Sequence, residues 1–172
     1  YKMSDVVRVN GFLGQVPCLL FLGRNDGVDL VGEKTSATLA QEIQDTMDLR
    51  GAMPVTLLAL DQSTNQSPGY VLLLECADNT DVRTLQDHVA RQLESALMAN
   101  FHYKLARELG QLQPSACIAL PHMREVYLEQ CRLRGMIEGN IKIEPLRHWK
   151  GQIPDVLREP LDAPALTSLP TP

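Results

Sequence analysis

Two apolar runs separated by a polar stretch set the main constraint. Residues 54–60 (PVTLLAL) and 70–76 (YVLLLEC) read as strands, and residues 61–69 (DQSTNQSPG) carry the Ser, Asn, Pro and Gly of a loop. The pair predicts a hairpin with a longish connection, which commits the chain to antiparallel pairing. Helical patterns flank it on both sides. Leu39, Ile43 and Met47 recur every four residues, predicting a helix over 36–48 with Thr35 or Ser36 as N-cap and Gly51 beyond its end. Val82, Leu85, Val89, Leu93 and Leu97 mark one face of a helix over 80–98, capped by Thr80 or Asp81. A shorter helix, 101–109, stops at Gly110, and a strand at 116–120 ends at Pro121. Met123, Val126, Tyr127 and Cys131 share one side of a helix over 122–134 that Gly135 closes. Residues 140–146 (NIKIEPL) alternate and predict a last edge strand, a position that Pro145 suits.

Upstream, 5–9 (DVVRV) and 18–22 (CLLFL) predict a first hairpin with a long connection through Gly14 and Pro17, and 28–31 (VDLV) a short strand ended by Gly32. Hairpins mixed with helices exclude a doubly wound parallel sheet. The fold expected is α+β: a small mixed or antiparallel sheet with helices packed on one face, preceded by a β-hairpin and a hinge.

The 172 residues fit one domain, and 44% hydrophobic content is enough for its core. A net charge of −5 with 5% aromatics argues against nucleic-acid binding. No apolar run reaches the length of a membrane span, and the start carries no signal-peptide pattern. Cys18, Cys76, Cys117 and Cys131 form no C-x-x-C and fit no zinc spacing, which suits small buried hydrophobes in a reducing cytoplasm. His88, His102, His122 and His148 are far apart, with no metal spacing. Glu42 and Asp45 read as a solvated helix face. Phosphate-loop, dinucleotide-loop and nucleophile-elbow motifs are absent. Five of the 11 prolines fall in the last 22 residues, predicting an extended tail over 151–172.

Two short motifs carry chemistry. Tyr1-Lys2-Met3-Ser4-Asp5, followed by a hairpin and Gly23-Arg24-Asn25-Asp26, resembles the junction of adenylate-forming enzymes, where the large N-terminal domain gives way to a small mobile one; Met3 and Ser4 depart from the pattern. Val31-Gly32-Glu33-Lys34-Thr35, Asn100-Phe101-His102-Tyr103, Leu109-Gly110-Gln111-Leu112, Arg134-Gly135 and Gly139-Asn140-Ile141-Lys142 narrow the resemblance. Over about residues 1–150 the set is similar to bacterial acyl acid amido synthetases of the auxin-responsive promoter family.

The resemblance implies a division into 1–23 (end of an N-terminal domain and hinge hairpin), 24–150 (small C-terminal domain) and 151–172 (tail), in a chain cut just upstream of a hinge. It implies that the whole enzyme joins a carboxylic acid to ATP, releasing pyrophosphate, and passes the acyl group to an amine or amino acid. ATP, AMP and Mg would be bound mainly by the missing N-terminal domain, leaving this fragment inactive alone. Asp5 would accept from both ribose hydroxyls. Arg24 would contact ribose or phosphate. Asp26 would be the pivot or a turn former before Gly27. Lys34 would face charge developing on the α-phosphate. A second catalytic lysine is expected late in the domain, at Lys142 or Lys150, although the Pro-Arg that closes this segment in plant members is missing. Two other readings compete: a stand-alone α+β module for ligand binding or dimerisation, and a carboxylate–CoA ligase domain with a thiol acceptor.

Overall fold

A computed structural model describes residues 5–24, 27–61, 67–137, 139, 141–151 and 154. A leading hairpin pairs β1 (Asp5–Leu13) with β2 (Val16–Arg24). Then follow α1 (Ala37–Thr46), β3 (Met53–Leu60), β4 (Gly69–Glu75), α2 (Val82–Met98), α3 (Phe101–Glu108), β5 (Ala116–Leu120), α4 (Met123–Leu133) and β6 (Leu146–Trp149).

The main sheet has the order β5-β4-β3-β6. The central β3–β4 pair is the antiparallel hairpin that the apolar runs predict. β5 joins β4 and β6 joins β3, both in parallel, so the sheet is mixed. Strand alternation sends two apolar sets to opposite sides. Leu57, Ala59, Tyr70, Leu72, Leu74, Cys117 and Ala119 pack with the buried faces of α1, α2 and α3. Val55, Leu58, Val71, Leu73 and Ile118 pack with Met123, Tyr127 and Cys131 of α4 and with Trp149. The α+β class, the small mixed sheet and the leading hairpin are as expected. The layering is fuller, because α4 covers the face that the expectation left open.

Caps match the polar residues at the helix starts. Ser36 accepts from Leu39 N, Asp81 from Thr84 N, and Asn100 from His102 N and Tyr103 N. α4 begins differently: His122 is left-handed (φ 57) without a side-chain cap, and Glu75 at the end of β4 accepts from Arg124 N at 2.9 Å. Trp149 closes the second core beneath the Arg134 guanidinium, 3.9 Å from its ring centre.

Three local expectations are corrected. The first hairpin has a tight Gly14-Gln15 connection rather than a long one, because a register break between Val9 and Phe12 absorbs Asn10-Gly11 inside β1. Residues 28–31 form no strand; Val28 makes a single bridge to Thr35, and side-chain carboxyls take the backbone groups that a ladder would use. The last strand is Leu146–Trp149, not 140–146, because Glu144 and Pro145 use their carbonyls to hold Thr56, Leu57 and Gln44 as the chain enters the sheet. The tail lies outside the described residues, apart from 151 and 154.

Leu72 sits fully buried in the middle of β4. Leu72→Ala is expected to cost about 2–5 kcal/mol, seen as a lower urea midpoint with an unchanged slope.

Candidate functional site

One end of the sheet gathers the polar residues of the 28–35 segment. There β3 finishes and β4 begins, with Ala59 opposite Tyr70. The Tyr70 hydroxyl donates a short hydrogen bond to Glu33 Oε1. Glu33 is fully buried and also accepts from Leu30 N at 2.9 Å and Val31 N at 2.8 Å. Val28 and Thr35 close the loop by two backbone bonds of 2.8 and 2.9 Å. Burial, and then the bond to Glu33, push the Tyr70 phenol far above its ordinary range, so it stays protonated and donates at every ordinary pH.

Lys34 sits between two anchored neighbours, Glu33 and Thr35, which are 0% and 1% exposed. Its own side chain is exposed, and its backbone is left-handed at φ 51. That conformation costs a non-glycine residue about 1–2 kcal/mol, and here the fixed residues on either side impose it. The loop therefore presents a cation from a braced base.

A second polar group supports the first from below. The Tyr70 and Tyr103 rings lie 5.9 Å apart. Tyr103 donates to Glu94 Oε2 at 2.8 Å, Ser115 N to the same oxygen at 2.7 Å, and Arg107 Nε to Oε1 at 2.6 Å. Burial alone would raise the Glu94 carboxyl, but the Ser115 N–H, Arg107 and Tyr103 outweigh it and hold it below its ordinary value.

Two clefts adjoin the 28–35 loop. The larger, about 620 Å³, is lined by Leu30 and Val31 of the loop, Asp61, Pro68 and the Gly110-Gln111 turn. The other, about 500 Å³, is lined by Val28 and Asp29 of the loop with Glu144, Arg147 and His148. His148 Nε2 and Asp61 Oδ1, 2.7 Å apart, join the two. Arg147 is engaged by Glu144 at 3.0 Å and by the Met136 sulfur at 3.1 Å.

The expected site residues divide between places. Lys34 lies at this sheet end. Lys150 does too, since it follows β6 directly and Asp61 N reaches the preceding Trp149 carbonyl at 3.3 Å; its own carbonyl accepts from Arg134. Lys142 does not. It is exposed on the segment that enters β6 from the end where β3 begins. Asp5 and Arg24 are brought opposite each other by the β1–β2 register. Asp26 lies outside the described residues. Among the described residues no group of three His, Cys, Asp or Glu side chains could hold a metal. No helix among them is long and apolar enough to cross a membrane.

Glu33, Tyr70, Asp61 and His148 were not singled out from sequence. Glu33 stands inside the Gly-Glu-Lys motif, where the sequence alone does not distinguish it from a solvated loop residue. Tyr70 reads as the first residue of an apolar strand. Asp61 and His148 are 87 positions apart, and no spacing rule joins them.

Two outcomes follow from the polar groups. Tyr70→Phe leaves the ring packing but frees Glu33, so amide exchange at Leu30 and Val31 should rise by tenfold or more while the core helices keep their protection. For Glu94 the folded value is depressed, so its contribution is full above the ordinary 4.5 and is lost as pH falls through the lower folded value. Thermal unfolding against pH should show the wild-type chain losing its advantage over Glu94→Gln in that acid window and nowhere above it.

A family model described as the GH3 family C-terminal domain matches residues 37–150. No curated protein sequence matches the chain. Among solved structures, a GH3.15 acyl acid amido synthetase aligns with TM-score 0.58 and 18% identity, over 84% of this chain and 28% of that one. AtGH3.15 acyl acid amido synthetase in complex with 2,4-DB aligns with TM-score 0.58 and 18% identity, over 93% and 29%. The chain thus spans under a third of the length of these structures. At this identity the likeness is one of fold.

Proposed function

The chain belongs to the GH3 family, as its C-terminal domain, and from that premise we propose that it is the small, mobile domain of an ATP-dependent, adenylate-forming acyl acid amido synthetase. Its partner is the enzyme's own N-terminal domain, which binds ATP and the acid. In this reading residues 1–23 are the end of the N-terminal domain and hinge hairpin, 24–150 the small C-terminal α+β domain, and 151–172 the Pro-rich tail. The enzyme works in the cytoplasm, and this domain alone is inactive.

The observation that carries the reading is Lys34, an exposed cation on a loop braced by buried Glu33 and Thr35. In the first half-reaction a carboxylate oxygen attacks the α-phosphorus of ATP, and pyrophosphate leaves with the electron pair of the broken P–O bond. Negative charge on the α-phosphate oxygens grows during that attack. A positioned ammonium stabilises it without reorganising, which is where a rigid base is useful. In the second half-reaction an amine attacks the acyl carbon and AMP leaves. ATP enters as a substrate with its Mg.

Asp5 and Arg24, opposed across the hairpin, are suited to the nucleotide: the carboxylate to two vicinal ribose hydroxyls, the guanidinium to ribose or phosphate. Asp26, before Gly27, serves as pivot or turn former. Lys34 and Lys142 lie towards opposite ends of β3, so a single placement of this domain delivers one of them. Lys142 is the alternative cation, for a placement that presents its own end, and the hinge absorbs such a change. Lys150 shares the Lys34 end and stands as the alternative to Lys142.

The test is ATP–pyrophosphate exchange by the full-length enzyme over a panel of carboxylic acids that includes 2,4-DB. Lys34→Ala is expected to lower exchange about 100- to 1,000-fold, and Asp5→Ala to raise the KM for ATP, with circular dichroism unchanged. Exchange that survives both substitutions would remove this assignment.

A further inference from the structure

The acceptor of an amido synthetase reaches the site as an ammonium ion, which has no lone pair with which to attack. Something must take a proton before the second half-reaction can proceed. The Asp61–His148 pair has the geometry for that task. Asp61 ends the β3 side of the sheet and His148 stands in β6, its parallel neighbour, and their side chains meet at 2.7 Å. With Nε2–H donating to Asp61 Oδ1, the imidazole lone pair lies on Nδ1. Among the described residues Nδ1 has no partner, and His148 lines the smaller cleft. A base oriented by a carboxylate and lining a cleft is the arrangement that activates a nucleophile.

The neighbours suit an incoming cation. Asp29 and Glu144 line the same cleft; one oxygen of Asp29 accepts from Gly32 N and one of Glu144 from Arg147, which leaves each a second oxygen. Arg147, which lines the same cleft, is held by Glu144 and Met136. Location agrees as well. The leaving phosphate and the attacking amine belong to one acyl carbon, so the cation for the first and the base for the second must sit within reach of each other. The loop that carries Lys34 lines both clefts.

Resting on the reading above, we propose that His148, oriented by Asp61, is the general base of the amine-transfer step, and that its cleft receives the acceptor's ammonium group. Nδ1 takes one N–H proton and becomes imidazolium. The freed lone pair forms the C–N bond, the acyl C–O bond breaks, and AMP departs with that electron pair. The second N–H proton of the adduct passes to water, and imidazolium returns its proton to solvent.

The experiment uses the full-length enzyme, its best acid from the exchange panel, and two acceptors: an equimolar pool of free amino acids, and hydroxylamine, which is unprotonated at neutral pH. In His148→Gln the ratio of amino-acid conjugate to pyrophosphate exchange should fall about 100-fold, whereas hydroxamate formation relative to exchange should fall less than threefold. Asp61→Asn should show the same split, weaker in degree. Equal loss with both acceptors, or no loss with either, would overturn the base. Absence of exchange in the unsubstituted enzyme would remove the amido synthetase reading itself, and the base with it.

Discussion

β3 and β4 are buried on both faces, and the placement of nearly every other element follows from that. Residues 55–59 and 69–74 are buried at every position. A strand pair of this kind cannot stand with one face in water, because Leu57 and Leu58, or Leu72 and Leu73, point to opposite sides. α1, α2 and α3 cover one side and α4 the other. β5 and β6 satisfy the outer backbone edges of the pair in parallel. β5 can lie parallel to β4 because α2 and α3 supply the crossover between them.

The same constraint places the polar chemistry. The middle of a sheet buried on both sides has no room for charge, so functional groups collect where strands end. Tyr70 is the hinge between the two regimes. Its ring belongs to the core beside Tyr103, while its hydroxyl reaches Glu33 at the boundary. A carboxyl as deeply buried as Glu33 is tolerable because two backbone N–H groups and that phenol meet it. In return it fixes the loop that carries Lys34. A core residue thereby sets the base of a surface cation, and the rigidity of the sheet extends to the loop.

Most elements were legible because their signals are local. Caps at Ser36, Asp81 and Asn100 and glycines at 110 and 135 mark boundaries by chemistry within one turn. The places where local reading failed are those where a distant group took over a backbone bond. The 28–31 segment has strand-like residues, but Glu33 and Asp29 capture its amides. The 140–146 segment alternates like a strand, yet its last carbonyls serve Thr56, Leu57 and Gln44, and pairing starts only at Leu146. Asn10-Gly11 looks like a turn, but a bulge inside β1 accommodates it. The motif lysine, Lys34, was found by its pattern, and the residues that hold it were not, since Tyr70 looks like any other residue of an apolar strand.

The sequence by itself determined the α+β class, the central hairpin, four helices with most of their caps, and the family resemblance carried by a set of short motifs over about residues 1–150. These depend on periodicity and on contacts within a few residues, which the order of residues encodes directly. The tertiary structure decided the rest: the second helical layer, the parallel outer strands, the separation of Lys142 from Lys34, and the meeting of Asp61 with His148 across 87 residues. Those depend on which strands become neighbours, and that is settled by burying both faces of one sheet at once, a condition that no single segment states alone.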